Sequence, residues 1–241
     1  MTNVNLSTLL TDMLRFIQDP ANNFVGQTGT TLQLALVPIV LAIIISLPLG
    51  VAVARQPLGA FLAANFSGAL RAIPTIAFFA VVLPFLGLGF VPTVAALTLL
   101  GIPPILLNTV AGLRGIDPAV LDAARGVGMT RWQRLLRVEA PLVSPIVAAG
   151  VRTSAVQIVA TVPVAGLIGG GGYGDYILAG VNVLDWVQAA VGALGIAVLA
   201  LAVELILAAV QRALTPAGVR EEEQPVGPSE PEQQIAMPAA A

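Results

Sequence analysis

Charge-free runs alternate with short arginine-bearing segments along this chain. Residues 31–54 carry no charge and exceed the roughly 20 residues a helix needs to cross a bilayer. They predict a first transmembrane span, with Pro48 and Gly50 near its end and Arg55 and Pro57 closing it. Residues 58–70 are apolar but too few to cross, and predict an interfacial elbow helix ending at Arg71. Charge is then absent from 72 to 113, enough for spans at 73–88 and 92–112 with a glycine- and proline-marked turn at 87–93. A fourth span is predicted over 141–165, enclosing Arg152, and a fifth over 186–211, enclosing Glu204. A long polar interval separates the third span from the fourth, and six glycines fall between 166 and 174.

The flanks are polar. In residues 1–30, Leu6, Leu9, Leu10, Met13, Leu14 and Ile17 share one helical face, away from Thr8, Thr11, Asp12 and Arg15. Two readings fit: an amphipathic helix lying on the membrane surface and a loosely ordered terminus. No basic n-region opens the chain, so a cleaved signal peptide is not expected. Residues 213–241 are rich in Pro, Glu and Gln, a composition that predicts a disordered tail. The chain thus divides into an N-terminal segment (1–30), a transmembrane domain (31–212) and a tail (213–241).

Arginine placement orients this layout. With five spans, Arg55, Arg71, Arg114, Arg125, Arg131, Arg134, Arg137, Arg212 and Arg220 fall on one side and Arg15 alone on the other, while Arg152 lies within a span. The positive-inside rule then puts the N-terminus outside and the polar interval and C-terminus in the cytoplasm.

Composition narrows the class. The chain is 57% hydrophobic and 10% charged, against about a quarter charged in soluble domains. The expected fold is all-α, a polytopic membrane protein with about five transmembrane helices. Cysteine and histidine are both absent, which removes disulfides, thiol chemistry and the usual ligands of transition metals. Lysine is absent too, so the chain cannot carry a Walker-type phosphate loop, which needs Gly-Lys. No cofactor or metal is expected, no nucleic acid is implied, and any ATP hydrolysis must belong to another polypeptide.

The polar interval, residues 114–140, has its own local structure. Asp117 before Pro118 is a helix start, with an N-cap acceptor and proline at the first helical position. Gly126 and Gly128 end that helix. Thr130 and Gln133 form a capping-box pattern that starts a second short helix, and Pro141 and Pro145 mark the return to the membrane. Ala123 and Ala124 give the first helix a small-residue face that admits another backbone. On these residues alone, a knob for a partner's groove and a plain loop whose arginines set topology are equally good readings.

Asp122-Ala123-Ala124, three residues, Gly128, nine residues and Val138-Glu139-Ala140-Pro141 resemble the EAA loop of ATP-binding-cassette importer permeases. Asp122, Val138 and Ala140 depart mildly from that pattern. The likeness extends over about residues 30–212. Arg71-Ala-Ile-Pro74, Pro103-Pro104-Ile-Leu-Leu-Asn108, Ala149-Gly-Val-Arg152 and Leu167-Ile-Gly-Gly-Gly-Gly-Tyr-Gly174 are similar to the osmoprotectant group, with methionine-type permeases sharing the layout. The resemblance implies a type I importer permease in a prokaryotic cell membrane. Its solutes would be glycine betaine, choline, carnitine or proline betaine. Its partners would be ABC ATPase subunits, an extracytoplasmic substrate-binding protein and a second permease subunit, identical or not. It also implies that Asp122, Ala123, Ala124, Gly128, Arg131 and Pro141 belong to the surface that couples to the ATPase.

Other residues leave alternatives open. Arg152 inside a span is costly; it lines the translocation path, snorkels to the inner surface or pairs with Glu139. Glu204 is either a packing contact or, together with Arg152, part of an ion-coupled transporter of a different class. The run from Gly169 through Gly172 to Gly174 can be read as a dinucleotide fingerprint, but it lacks the βαβ setting that motif needs. It predicts either tight backbone at the outer mouth of the path or a flexible loop. With 5% aromatic residues and no aromatic cluster along the chain, no cage for a quaternary ammonium is expected. High-affinity recognition is therefore assigned to a separate binding protein.

Overall fold

The computed structural model describes residues 6–214; the first five residues and nearly all of the predicted tail lie outside them. Every regular element among the described residues is helical, in agreement with the all-α expectation. α1 (Leu6–Gln18) leads through a short turn into α2 (Phe24–Ala54), and α3 (Pro57–Ala72) and α4 (Thr75–Leu86) follow. α5 (Phe90–Arg114) precedes the exposed α6 (Pro118–Gly126). A continuous helical segment then starts as α7 (Arg131–Arg134), widens into a π-helical turn (Leu135–Glu139), and runs on as α8 (Ala140–Thr161) into a 3-10 stretch at Val162–Ile168. α9 (Tyr173–Val183) and α10 (Trp186–Leu214) complete the chain. Four helices are long and apolar enough to cross a membrane, or five crossings if α3 and α4 count as one broken span.

Three of these elements differ from the expectation. α2 begins at Phe24 rather than 31. The polar residues that hide its first turns are satisfied locally: the Thr28 and Thr31 hydroxyls donate to the carbonyls of Phe24 and Gln27, each at 2.7 Å. The span predicted at 73–88 is a helix of 12 residues, about 18 Å long at 1.5 Å per residue and too short to cross alone. It meets α3 at 95°, because Ile73 precedes Pro74 and is held extended at ψ 123. The second helix of the polar interval does not stop before Pro141. The prolyl ring would clash with the carbonyl four residues back, and the π turn at 135–139, where Ala140 N–H reaches Leu135 O, widens the helix at that carbonyl and lets it continue.

α5 is the centre of the bundle. In its apolar stretch 67% of the residues are buried within the subunit, against 6% for α10, whose Leu194, Val198, Leu201 and Leu205 remain exposed on the subunit surface. Hydrocarbon offers no hydrophobic drive between helices, so close approach through small residues supplies the packing. A Cβ on Gly101 would lie 2.7 Å from Ile158 Cδ1 and 2.8 Å from Ser154 Oγ; one on Gly150 would lie 2.7 Å from Asn108 Cβ. Pro103 and Pro104 sit inside α5 and remove two backbone donors. In the turn just before them, Ser154 donates to Gly101 O at 2.8 Å and Ser46 to Ile102 O at 3.3 Å. The neighbours α8 and α2 are thus stitched to the least regular part of the central helix.

Gly101→Val is expected to force α5 and α8 apart at a cost of about 1–3 kcal/mol. A thermal melt in detergent checks it: the variant should unfold well below the parent protein, whereas Gly68→Val, with nothing within 4 Å of its Cβ position, should not.

Candidate functional site

The polar interval folds as its caps dictate. Asp117 Oδ1 accepts from Ala119 N–H at 2.8 Å with Pro118 in the first turn, which starts α6. Gly128 at φ +78 and the bond from Met129 N–H to Ala124 O close it, a left-handed conformation that glycine tolerates best. Thr130 and Gln133 then cap one another: Thr130 N–H donates to Gln133 Oε1 at 2.9 Å and Gln133 N–H to Thr130 Oγ1 at 3.3 Å. Asp122 and Ala123 face outward, Ala124 packs inward, and Gly128, Arg131 and Pro141 are exposed. Val127 and Trp132 add exposed apolar surface, 74% and 67% accessible. The Asp122–Arg125 pair at 2.7 Å is solvated and contributes little to stability. A short helix capped at both ends, with a mixed apolar and charged surface, therefore projects from the bundle.

Its base is fixed by a buried carboxylate. Glu139 accepts from Arg134 Nε at 2.8 Å and from one guanidinium nitrogen of Arg55 at 2.5 and 2.6 Å. Arg134 and Glu139 are almost fully enclosed, and Arg55 is partly exposed. In an α-helix, residues five apart lie about 140° around the axis from each other. The π turn between Arg134 and Glu139 takes up more residues per turn and brings the two onto one side. Arg55 reaches them from just past the end of α2, so one carboxylate ties α2 to the root of the projecting loop. This cluster was missed in the sequence. Its signal was an acidic residue next to the span start at Pro141, surrounded by arginines without other acids nearby.

Arg152 does not pair with Glu139. It pairs with Glu204 of α10, donating Nε to Oε1 at 2.6 Å and also a terminal nitrogen to the same oxygen. The two charges that hydropathy had marked inside separate spans thus neutralise each other and join α8 to α10. Arg152 is also well separated along α8 from the coupling loop. Among the described residues no group of three metal-ligating side chains occurs.

The glycine run at the other end is bonded to α2. Gly172 N–H donates to Gln27 Oε1 at 2.6 Å and Tyr173 N–H to Thr31 Oγ1 at 2.8 Å, so two α2 side chains cap the start of α9. Gly169 and Gly172 have φ of +68 and +78. A Cβ on Gly172 would come within 2.7 Å of Thr31 Oγ1, and one on Gly174 within 2.7 Å of Pro163 O. The expected absence of an aromatic cluster is overturned. Phe16 meets Tyr176 edge-on at 5.3 Å, Tyr173 stacks on Tyr176 at 6.1 Å, and Phe24 lies 5.6 Å from Tyr173. These rings come from three helices, which no local spacing reveals. They do not form an open cage: both tyrosines are buried, and their hydroxyls bond Thr28 Oγ1 at 2.7 Å and Asn22 O at 2.5 Å. Their effect is to dock α1 and α2 on α9.

A multi-pass helical bundle with a capped helix projecting between its central spans is the architecture of a transport permease. The inward-facing MetNI methionine ABC transporter has the same fold, with a TM-score of 0.69 at 21% identity, covering 80% of this chain and 96% of that one. The chain belongs to the family of binding-protein-dependent transport system inner membrane components, whose family model matches residues 42–217. It is 36% identical over 211 residues to the glycine betaine/carnitine/choline transport system permease protein OpuCB of Bacillus subtilis, covering 88% of this chain and 97% of the relative. It is also 36% identical over 217 residues to the osmoprotectant import permease protein OsmW of Salmonella typhimurium, covering 87% and 100%.

Glu139→Gln leaves Arg134 buried without a carboxylate, a loss of about 3 kcal/mol or more. Denaturant titration in detergent should show it. Arg55→Gln should cost less, because Arg55 is partly solvated and Arg134 keeps its partner.

Proposed function

We propose that this chain forms half of the translocation path of an ATP-driven importer for osmoprotectants: glycine betaine, choline, carnitine or proline betaine. The names of its relatives support the solute class. The observation that carries the mechanism is the projecting α6, rigid through its caps and anchored by the Arg55–Glu139–Arg134 cluster. An ABC ATPase subunit seats on Asp122, Ala123, Gly128 and Arg131. Closure of two ATPases on ATP then displaces two such loops, one from each permease subunit. The buried cluster passes the displacement to α2 and α8 together, and the bundle rocks between inward- and outward-facing states. Arginine bias supports an outside N-terminus and a cytoplasmic loop and tail.

Recognition rests with an extracytoplasmic binding protein, since the aromatic rings here are closed on one another. Gly169, Gly172 and Gly174 shape the outer mouth by clamping α9 to α2. Arg152 holds α8 to α10 through Glu204 and lines the path only at its edge. With Glu204 bonded to Arg152, no carboxylate in the spans stands ready as a free proton carrier, which disfavours ion coupling.

Reconstitution in liposomes with and without the ATPase tests the proposal. Betaine or choline uptake should require the ATPase and ATP, and collapsing the proton gradient should not abolish it. Gly128→Arg is the sharper variant. Open space surrounds the Cβ position of Gly128, so the new side chain points away from the fold and into the docking face. The backbone conformation costs about 1–2 kcal/mol for a non-glycine residue. The variant should insert and fold, yet lose ATPase binding and uptake at least tenfold; normal uptake would falsify the coupling role.

A further inference from the structure

Beside the loop base lies a cleft of about 790 Å³ bordered by Arg55, Arg114, Arg125, Arg131, Arg134 and Glu139. Glu139 is taken by Arg55 and Arg134, and Arg125 is paired with Asp122. Arg114 and Arg131 have no carboxylate partner among the described residues. With Glu139 and the Asp122 that pairs Arg125 both counted, five guanidiniums leave a net charge of +3 at a cleft partly walled by protein, where charges interact more strongly than in open water. Such a cleft calls for an anionic occupant.

The chain carries one. Residues 215–241 hold Arg220 against Glu221, Glu222, Glu223, Glu230 and Glu232, a net charge of −4. The end of α10 places this segment on the correct side: Gln211 Nε2 donates to Pro145 O at 3.5 Å, and Leu207 and Val210 line an apolar pocket with Leu135 and Ala140. Leu135 follows Arg134 directly, so α10 ends against the flank of the segment that forms the cleft. Six residues lie between Leu214 and Glu221, seven steps along the chain, and extended chain covers about 3.3–3.6 Å per residue. That reach of about 23 Å exceeds the 10–12 Å diameter of a helix, enough to pass around residues 131–139. Tethering at this length gives an effective concentration on the order of millimolar.

We propose that the Glu221–Glu223 run docks in the arginine cleft of the same chain. The contact is electrostatic and solvent-exposed on one side, so it weakens as salt rises, since the Debye length falls from about 30 Å at 0.01 M to 3 Å at 1 M. Docked, the tail lies against α6 and covers Arg125 and Arg131. Its consequence, that the tail competes with the ATPase for the loop and restrains transport at low ionic strength, rests on the coupling role proposed above; the docking itself does not.

The natural chain has no cysteine, so the full-length protein accepts a spin-label pair at Val127→Cys and Gln224→Cys. Electron–electron distance measurement in zwitterionic nanodiscs at ~20 mM salt should give a narrow short-distance population that disperses above about 0.5 M. The population should vanish in Glu221→Gln/Glu222→Gln/Glu223→Gln and in Arg114→Gln/Arg131→Gln, neither of which removes an ion pair of the described fold. A distribution that is the same in the parent and the triple-glutamine protein would overturn the assignment. So would loss of the population together with arginine-dependent retention of phosphatidylglycerol, which would give the cleft to a lipid headgroup. The readout uses no ATPase and no transport, so its failure is separable from failure of the coupling role.

Discussion

A buried carboxylate sets the terms for the loop-bearing end of this permease. Glu139 is enclosed by protein and held by two guanidiniums. Taking a carboxylate out of water is expensive, and attraction to one partner seldom repays it in full. Two arginines, one buried and one reaching from past the end of α2, satisfy both oxygens. The arrangement needs a π turn to bring Arg134 and Glu139 together, and that turn also lets the helix run past Pro141. One local irregularity therefore serves an ion cluster and the continuity between the projecting loop and the membrane. Stability gained is modest for the charges involved; what they provide is a fixed angle between loop and bundle.

Inside the bundle the problem is different. There α5 carries two prolines and lets its neighbours approach closely at glycines: Gly101 lies against Ile158, Ser154 and Ala42, and Gly112 against Val143. Hydroxyls from α2 and α8 reach its carbonyls. Backbone polar groups in hydrocarbon must find internal partners, and here neighbouring helices supply some of them. The central helix is thus specified by close contact and by hydrogen bonds that cross between helices. Neither depends on strong side-chain hydrophobicity, which lipid would satisfy equally well.

Much of this was legible in the chain. Hydropathy located the apolar helices, Asp117 and Thr130 announced their caps, and the spacing from Asp122 to Pro141 pointed to the family. Part of what escaped reading is long-range pairing, and part is local backbone bonding that residue types do not announce. The partner of Arg152 lies 52 residues away in Glu204. Tyr173 meets Thr28 across 145 residues. The start of α2 was hidden because Thr28 and Thr31 look like loop residues until their hydroxyls are seen bonding back to the helix. Pro141 reads as a helix breaker only if the preceding turn is an ordinary α turn. Local chemistry fixed the caps, and topology decided everything that joins distant helices.

The grip on α2 at both ends has mechanical content. One end is held by Gln27, Thr28 and Thr31 against α9, the other by Arg55 against Glu139. Between these holds runs a single helix of 31 residues, about 46 Å of rod at 1.5 Å per residue. A tilt of about 5° applied at one end displaces the other by roughly 4 Å over that length. A rod held in this way turns a small rotation at the Glu139 anchor into a displacement of a few ångströms near α9.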